Sequence, residues 1–445
     1  MRQLSREQLP LTGPVVRHRH AQELEGVDRI LRDNGDTAEL VLQDLQAGVL
    51  VGEGREGMTA EQVLRAAVLK QINTFTYDEL SFHLADSWTY RTFCGWGPLD
   101  ETPGKSTLQR NIKSITAQTW EAINGTLMGY AAERGVENGR KVRIDATVTE
   151  TNIHHPTDSS LLWDSVRVLT RLLREAHESH GVQRFPKRTR RAKRRALDVL
   201  NAKGARKQRK AYRDLLAVTN ETVGYARIAG SSLERQPGSP VAVVLAAELS
   251  DYVILAEAVI DQTERRVLHG EEVPATEKLL SIFEDHTDIV IKDKRETHFG
   301  HKVTFTGGRS GLILDWVVED GNPADSTLAI RMLERQKKIY GQPPRQAAFD
   351  GGFASKSNLK DAKALGITDV SFSKKRGLEV LDMVKSQWVY KRLRNFRAGI
   401  ESWISFLKRS FGLGRCTWKG WAGFARYVAA SIVAANLLTL ARHLE

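Results

Sequence analysis

Hydrophobic and polar positions alternate most cleanly over residues 141–149. Val142, Ile144, Ala146 and Val148 fill one set of alternate positions; Lys141, Arg143, Asp145, Thr147 and Thr149 fill the other. Period two predicts a strand, with Asp145 on its polar face. Upstream the apolar spacing is helical. Residues 58–72 form one periodic helix that Thr59 can cap, and residues 77–84 form a second. A third begins at Ser106, which can cap residues 107–115. A Gly/Pro-rich stretch, 95–104, separates the second from the third.

Downstream of the first strand, residues 158 to about 290 read as helical, and 241–260 is an Ala-rich apolar helix. Strand signals resume at 302–306 and 312–318. They flank Gly307-Gly308-Arg309-Ser310-Gly311 and predict a hairpin. Asp325 can cap a helix running to about Tyr340. Residues 346–349 form a short strand ending at Asp350, where Gly351-Gly352 breaks it. A helix from about Ser355, a strand at 367–372 and helices from about Lys391 complete the order. A hairpin combined with parallel crossovers predicts a mixed α/β sheet.

A chain of 445 residues exceeds one ordinary core. Its net charge of +12 suits a polyanionic partner, nucleic acid or an acidic membrane surface. The charge is concentrated: residues 184–213 hold 14 Lys or Arg and one acid, Asp198. Nearly uniform sign favours DNA backbone contact by Arg188, Arg190, Arg191, Lys193, Arg194 and Arg195 over a solvated face. The first 135 residues read either as a helix-turn-helix-like DNA reader, with Arg110 and Lys113 on the recognition helix, or as a plain helical bundle. Cys94 and Cys416 are far apart and read as buried thiols in a reducing compartment. No apolar leader opens the chain. The apolar stretch 421–440 contains Arg426 and Asn436 and reads as a buried terminal helix rather than a membrane span. A cytoplasmic protein is expected, with no membrane partner.

Three acids stand out by placement. Asp145 lies on the polar face of the first strand. Asp350 ends a later strand beside two glycines, and strand ends are where α/β sheets build sites. Glu401 lies on a helix where Arg397 and Lys408 fall within roughly 40° of it around the axis. Ile400, Ile404, Leu407 and Phe411 form the adjacent apolar stripe. Phosphodiester cleavage needs an activated attacking oxygen and a stabilised leaving oxygen. Two Mg²⁺ or Mn²⁺ ions held by carboxylates supply both.

At these residues the sequence resembles the DDE transposases of bacterial insertion sequences. The similar parts are the block from Ile144-Asp145 to Trp163-Asp164, then Phe349-Asp350-Gly-Gly-Phe, and the segment 77–93. Arg397, Glu401 and Lys408 match the family's Tyr-x2-Arg-x3-Glu-x6-Lys signature in identity and spacing. Arg394 stands at its tyrosine position. The resemblance implies an RNase H-like catalytic core, a bound pair of divalent metals and recognition of terminal inverted repeats on double-stranded DNA. It also implies two copies of the chain, a homodimer, assembled in a synaptic complex. His154 and His155 fall inside the matching block and read as a structural loop.

The expected architecture is α/β: an N-terminal helical DNA-binding region (1–135) and an RNase H-like mixed-sheet core (136–160 and 296–445) interrupted by a basic helical insert (161–295). The expected catalytic and metal-binding residues are Asp145, Asp350 and Glu401, and the expected reaction is DNA cleavage and strand transfer. The alternatives are a nuclease of the same fold that does not rejoin strands, or a domesticated, inactive DNA-binding copy.

Overall fold

The computed structural model describes residue 4 and residues 17–47, 57–236, 238–292 and 296–444. The chain forms two units, one of Met1–Glu150 with His301–Glu445 and one of Thr151–Gly300.

Among the described residues, seven helices open the first unit: α1 (Arg19–Asp33), α2 (Asp36–Gln46), α3 (Ala60–Ile72), α4 (Tyr77–Asp86), α5 (Trp88–Phe93), α6 (Lys105–Ser114) and α7 (Ala117–Glu133). Thr59 caps α3 reciprocally with Gln62, and Thr76 caps α4 with Glu79. Helix α6 corrects the expected cap. Gly104 holds the cap position, so Ser106 lies inside the first turn. Pro103 cannot continue into a helix interior, and Gly104 takes the extended cap conformation directly after it. Strand β1 (Lys141–Thr151) follows.

The second unit contains α8 (Asp158–His180), α9 (Thr189–Asn201), α10 (Ala205–Glu234) and α11 (Pro240–Thr263) around an apolar core of their own. Helix α11 buries Leu245, Leu249, Val253 and Val259 but leaves Val241, Val243 and Val244 exposed. Helix does not continue to residue 290. Strand β2 (Asp288–Lys292) pairs antiparallel with the start of β3 (Glu296–Gly307), which begins earlier than expected. Ile289-Val290-Ile291 is a β-branched run that prefers this state.

The first unit resumes in β3, which pairs antiparallel with β4 (Ile313–Val318) as the Gly-rich loop predicts. Then come α12 (Asp325–Tyr340), β5 (Gln346–Phe349), α13 (Lys356–Ala364), β6 (Asp369–Phe372), α14 (Val380–Met383), α15 (Gln387–Ser410), β7 (Arg415–Cys416) and α16 (Trp421–Leu444). Asp325 does not cap α12. It is the first helical residue, and its carboxylate accepts from Lys302 Nζ at 2.9 Å. Strands β3, β1, β5 and β6 are neighbours in that order, with β7 beside β1. Strand β5 runs parallel to both β1 and β6, so the sheet is mixed.

Helix α16 is long and apolar enough to span a membrane by length and composition, yet 89% of its apolar window is buried. It packs on α1, α3 and α7. Its one central amide explains its place in the core. Asn436 Oδ1 accepts from Ile313 N, and its Nδ2 donates to Ile313 O and Asn124 Oδ1. The helix is thereby locked to β4 with its buried polar group satisfied. Cys94 and Cys416 are both buried free thiols.

Candidate active site

The parallel ladder brings two of the acids level. Ile144 of β1 pairs with Phe349 of β5, and Phe349 pairs with Phe372 of β6. One residue further along, Asp145, Asp350 and Ser373 stand in a row: Asp350 and Ser373 follow the C-terminal ends of β5 and β6, where α/β sheets open into sites, and Asp145 lies part-way along the longer β1. Beneath this row the ring of Phe349 stacks on Phe372 and meets Phe353 at a tilt. Ser373 Oγ donates to Asp350 Oδ1 at 2.9 Å. Asp145 Oδ1 accepts from the Ala146 backbone N–H at 2.8 Å.

Helix α15 supplies the third acid and a cation. Ser386 caps it, so it begins before Lys391, and Tyr390 donates to Phe372 O at 2.9 Å. Arg143, two residues before Asp145 on β1, donates to Phe396 O at 3.0 Å. Its guanidinium passes so near Gly399 that a Cβ there would lie 2.3 Å from Nη1, so a side chain at 399 would displace the guanidinium from this position. Held in this way, Arg397 reaches all three acids. Its Nη2 contacts Asp145 Oδ2 at 2.9 Å and Asp350 Oδ1 at 3.1 Å; its Nη1 contacts Glu401 Oε1 at 2.8 Å. The one-turn pairing of Arg397 with Glu401 that helical spacing allows is present. The sequence pattern does not reveal that the same guanidinium also bridges both aspartates.

The two aspartates titrate in opposite directions. Burial pushes Asp145 up to about 6, outweighing Arg397 and the Ala146 N–H, with nearby Asp350 adding to the rise. Burial also raises Asp350, but the Gly351 N–H, the Ser373 hydroxyl, Arg397 and the Gly352 N–H together hold it below its usual value. The difference follows from exposure: the Asp145 side chain is 13% exposed and that of Asp350 38%. Glu401 is 64% exposed and faces outward.

Three carboxylates around one guanidinium mark a place built for positive charge. The donor set also suits a divalent cation, because all the donors are hard oxygens. Among the described residues, no three acids, histidines or cysteines are drawn tightly enough to enclose an ion; Arg397 stands between the carboxylates. Lys408 lies two turns beyond Glu401 on α15 and is half-buried. Sequence reasoning missed Ser373, Arg143 and Phe396. Ser373 could be found only from strand pairing, which period-two patterning does not specify.

Two family models match the chain. Residues 17–114 match a transposase domain (DUF772), and residues 259–437 match the Transposase DDE domain, together more than half of the chain. The second match contains Asp350, Arg397, Glu401 and Lys408, and the geometry above draws the first three together. The chain belongs to the DDE transposases. Its mixed sheet is the RNase H-like core that the DDE domain implies. No curated protein and no solved structure matches the chain. Asp145 lies outside both matched segments, so its place beside Asp350 rests on the β1–β5 register and on the guanidinium the two aspartates share.

The cations expected to meet DNA divide by their surroundings. In the transposase's second unit, Arg188 pairs with Glu221 at 2.5 Å, Arg195 with Asp198 at 2.7 Å, and both Arg191 and Arg195 with Asp214 of α10. Arg190, Lys193 and Arg194 point outward from α9, opposite Ala192, Ala196 and Val199, which are buried. The exposed three should therefore carry phosphate contact. Replacing Arg190, Lys193 and Arg194 by Gln should weaken binding to every DNA alike. It should also flatten the log–log salt dependence by about 0.9 per phosphate left unneutralised. The same change at Arg188, Arg191 and Arg195 should matter less for DNA and more for stability. Equal salt slopes for the wild type and the first variant would reduce α9 to a solvated face.

On α6, Arg110 is exposed, while Lys113 is half-buried in the last turn, where its carbonyl accepts from Arg426 Nη1 at 2.5 Å. His154 lies 3.5 Å from Asp164, and the His155 ring stands edge-on to Phe299. Both serve as packing and pairing groups of their loop.

Proposed function

We propose that this transposase cuts DNA at the inverted-repeat ends of an insertion sequence and joins those ends to a target. In this reading two copies of the chain act in one synaptic complex. The observation that carries the reading is the convergence of Asp145, Asp350 and Glu401 on Arg397, beside β1 and the C-terminal ends of β5 and β6. Asp145, Asp350 and Glu401 would hold divalent metal, two Mg²⁺ or Mn²⁺ ions. When bound, these ions activate the attacking water or hydroxyl and stabilise the leaving oxygen. Arg397 changes partner in this scheme. Its planar fork suits two phosphate oxygens as well as it suits carboxylates. A DNA phosphate entering beside Asp350 takes the guanidinium, and the carboxylates are left for metal. Lys408 adds positive charge further along the same helix. Arg110 and Lys113 on α6 would contribute to recognition of the end sequence.

A duplex taken from the flanks of the coding frame, incubated with Mg²⁺ and target DNA, should yield joined products. Cleavage without joining would reduce the activity to that of a nuclease. Metal binding should also depend on pH. Asp145 must be ionised to serve as a ligand, and its proton leaves only near pH 6. Mn²⁺ affinity should therefore fall about tenfold per unit below pH 6 and level off above it, as followed by paramagnetic resonance. The metal-free fold should show the complementary trend. Asp145 binds its proton more tightly folded than unfolded, so stability declines as pH rises from about 4 to about 6. A metal affinity that is flat from pH 5 to pH 7 would remove Asp145 from the ligand set.

A further inference from the structure

The turn that follows β6 carries three cations that the site above does not use. Lys374, Lys375 and Arg376 are all exposed, and none has an acid within ion-pair distance among the described residues. The turn is tied down at both ends. Ser373 N donates to Phe349 O at 3.0 Å and its hydroxyl donates to Asp350. Leu378 N closes the turn on Lys375 O at 2.9 Å, and the Leu378 side chain is buried in the core. The stem of Lys374 crosses Gly351 so closely that a Cβ there would lie 2.7–2.9 Å from its Cβ, Cγ and Cδ. Gly351 is thus required, and Lys374 is fixed next to Asp350.

The backbone inside the turn is unusual. Arg376 has φ 45° and Gly377 has φ 82°, so both central residues are left-handed. Asn-Gly or Gly-Gly is the ordinary choice for such a pair, because an L-side chain is disfavoured at the first position. Thr74, the other non-glycine residue with positive φ among those described, follows the C-terminus of α3, where a left-handed residue ends a helix. Arg376 has no such explanation. Its side chain is exposed, with no ion pair among the described residues to offset the strain, and Gly would serve the turn better. A strained residue that the fold does not need points to a partner outside the fold.

We infer that the Lys374–Arg376 turn is a binding site for DNA backbone phosphates on the strand presented to Asp350. The inference rests on the reading that Asp350 faces a scissile DNA bond. Uncompensated cations held rigidly beside an acid that needs DNA brought to it would otherwise only repel one another. Arg376 offers two parallel donors to one phosphate, and the two lysines act as point charges on its neighbours.

The test compares wild type with Arg376→Gly and with the triple variant Lys374→Gln, Lys375→Gln, Arg376→Gly. Two labelled duplexes are titrated over a salt series, one of mixed sequence and one from the flanks of the coding frame. Arg376→Gly should keep or raise the Tm, since glycine relieves the left-handed strain, and should weaken DNA binding. The triple variant should flatten the log–log salt slope by about 0.9 for each phosphate left unneutralised. Weakening on both duplexes places the turn on any backbone. Weakening only on the flank duplex places it on the element's ends, and weakening only on the mixed duplex places it on target DNA. A lowered Tm for Arg376→Gly, or an unchanged salt slope for the triple variant on both duplexes, overturns the inference. Asp350→Asn is run alongside. If that variant still cleaves, the reading of the site fails on its own account, whatever the turn does.

Discussion

Asp350→Asn, Asp145→Asn and Glu401→Gln should each abolish DNA cleavage while leaving DNA affinity nearly unchanged. The three carboxylates come from β1, the end of β5 and α15, and they share one guanidinium. Each substitution preserves shape and removes one negative charge from the donor set. The expected loss in rate is on the order of 10³ or more, the scale on which a group that stabilises developing charge acts. Binding should survive, because the phosphate contacts assigned to α9 and the β6 turn lie on other residues. The Glu401 variant is the sharpest of the three, since that side chain is the most exposed and contributes least to folding. Single-turnover cleavage of pre-bound duplex in Mg²⁺ measures the effect. Full activity in any one variant would remove that residue from the site.

Arg397→Ala should act twice. Without metal it leaves Asp145 nearly buried and without its cation, and losing one partner of a buried pair costs about 3 kcal/mol. Mn²⁺ should restore much of that loss, because a divalent ion then meets the carboxylates unopposed. Tm measured with and without Mn²⁺ reads this directly, and the rise on adding Mn²⁺ should exceed that of wild type. In catalysis the variant should cleave on the order of 10²-fold more slowly at saturating DNA and metal, because the phosphate loses its two-pronged donor. Arg397→Lys should recover only part of the rate, since one ammonium cannot reproduce the planar fork. A wild-type rate for Arg397→Ala at saturation, together with an ordinary Mn²⁺ response, would leave Arg397 as a simple partner of Glu401.

Much of the core is legible because the local signals agree. The alternation around Asp145 marks β1, the glycines after Asp350 mark the end of β5, and the helical stripe of Ile400, Leu407 and Phe411 faces inward as its spacing requires. The misses have common physical causes. Ser106 and Asp325 are good capping residues, but Gly104 and Ala324 hold the cap positions, since where a helix begins depends on how the preceding chain enters it. Strand β2 is hidden at the end of a region of helical pattern, although Ile289-Val290-Ile291 favours a strand. Evenly spread charge in residues 184–213 hides the fact that α10 supplies Asp214 and Glu221 to neutralise three of the arginines. The deepest limit concerns the site itself. Spacing puts Arg397 near Glu401, but its contacts with Asp145 and Asp350 depend on the parallel register of β1 with β5 and on Arg143 slipping past Gly399. Long-range pairing of this kind leaves no trace in a local pattern.

In the proposed scheme Asp145, Asp350 and Glu401 form one metal site once Arg397 is drawn away. A crystal of the protein bound to duplex DNA in Mn²⁺, with anomalous scattering recorded, tests it most directly. Mn²⁺ is expected within bonding distance of carboxylate oxygens from all three residues, with Arg397 turned onto a DNA phosphate. Saturating Mn²⁺ and DNA with no ion among these carboxylates, and Arg397 still bridging them, would contradict it.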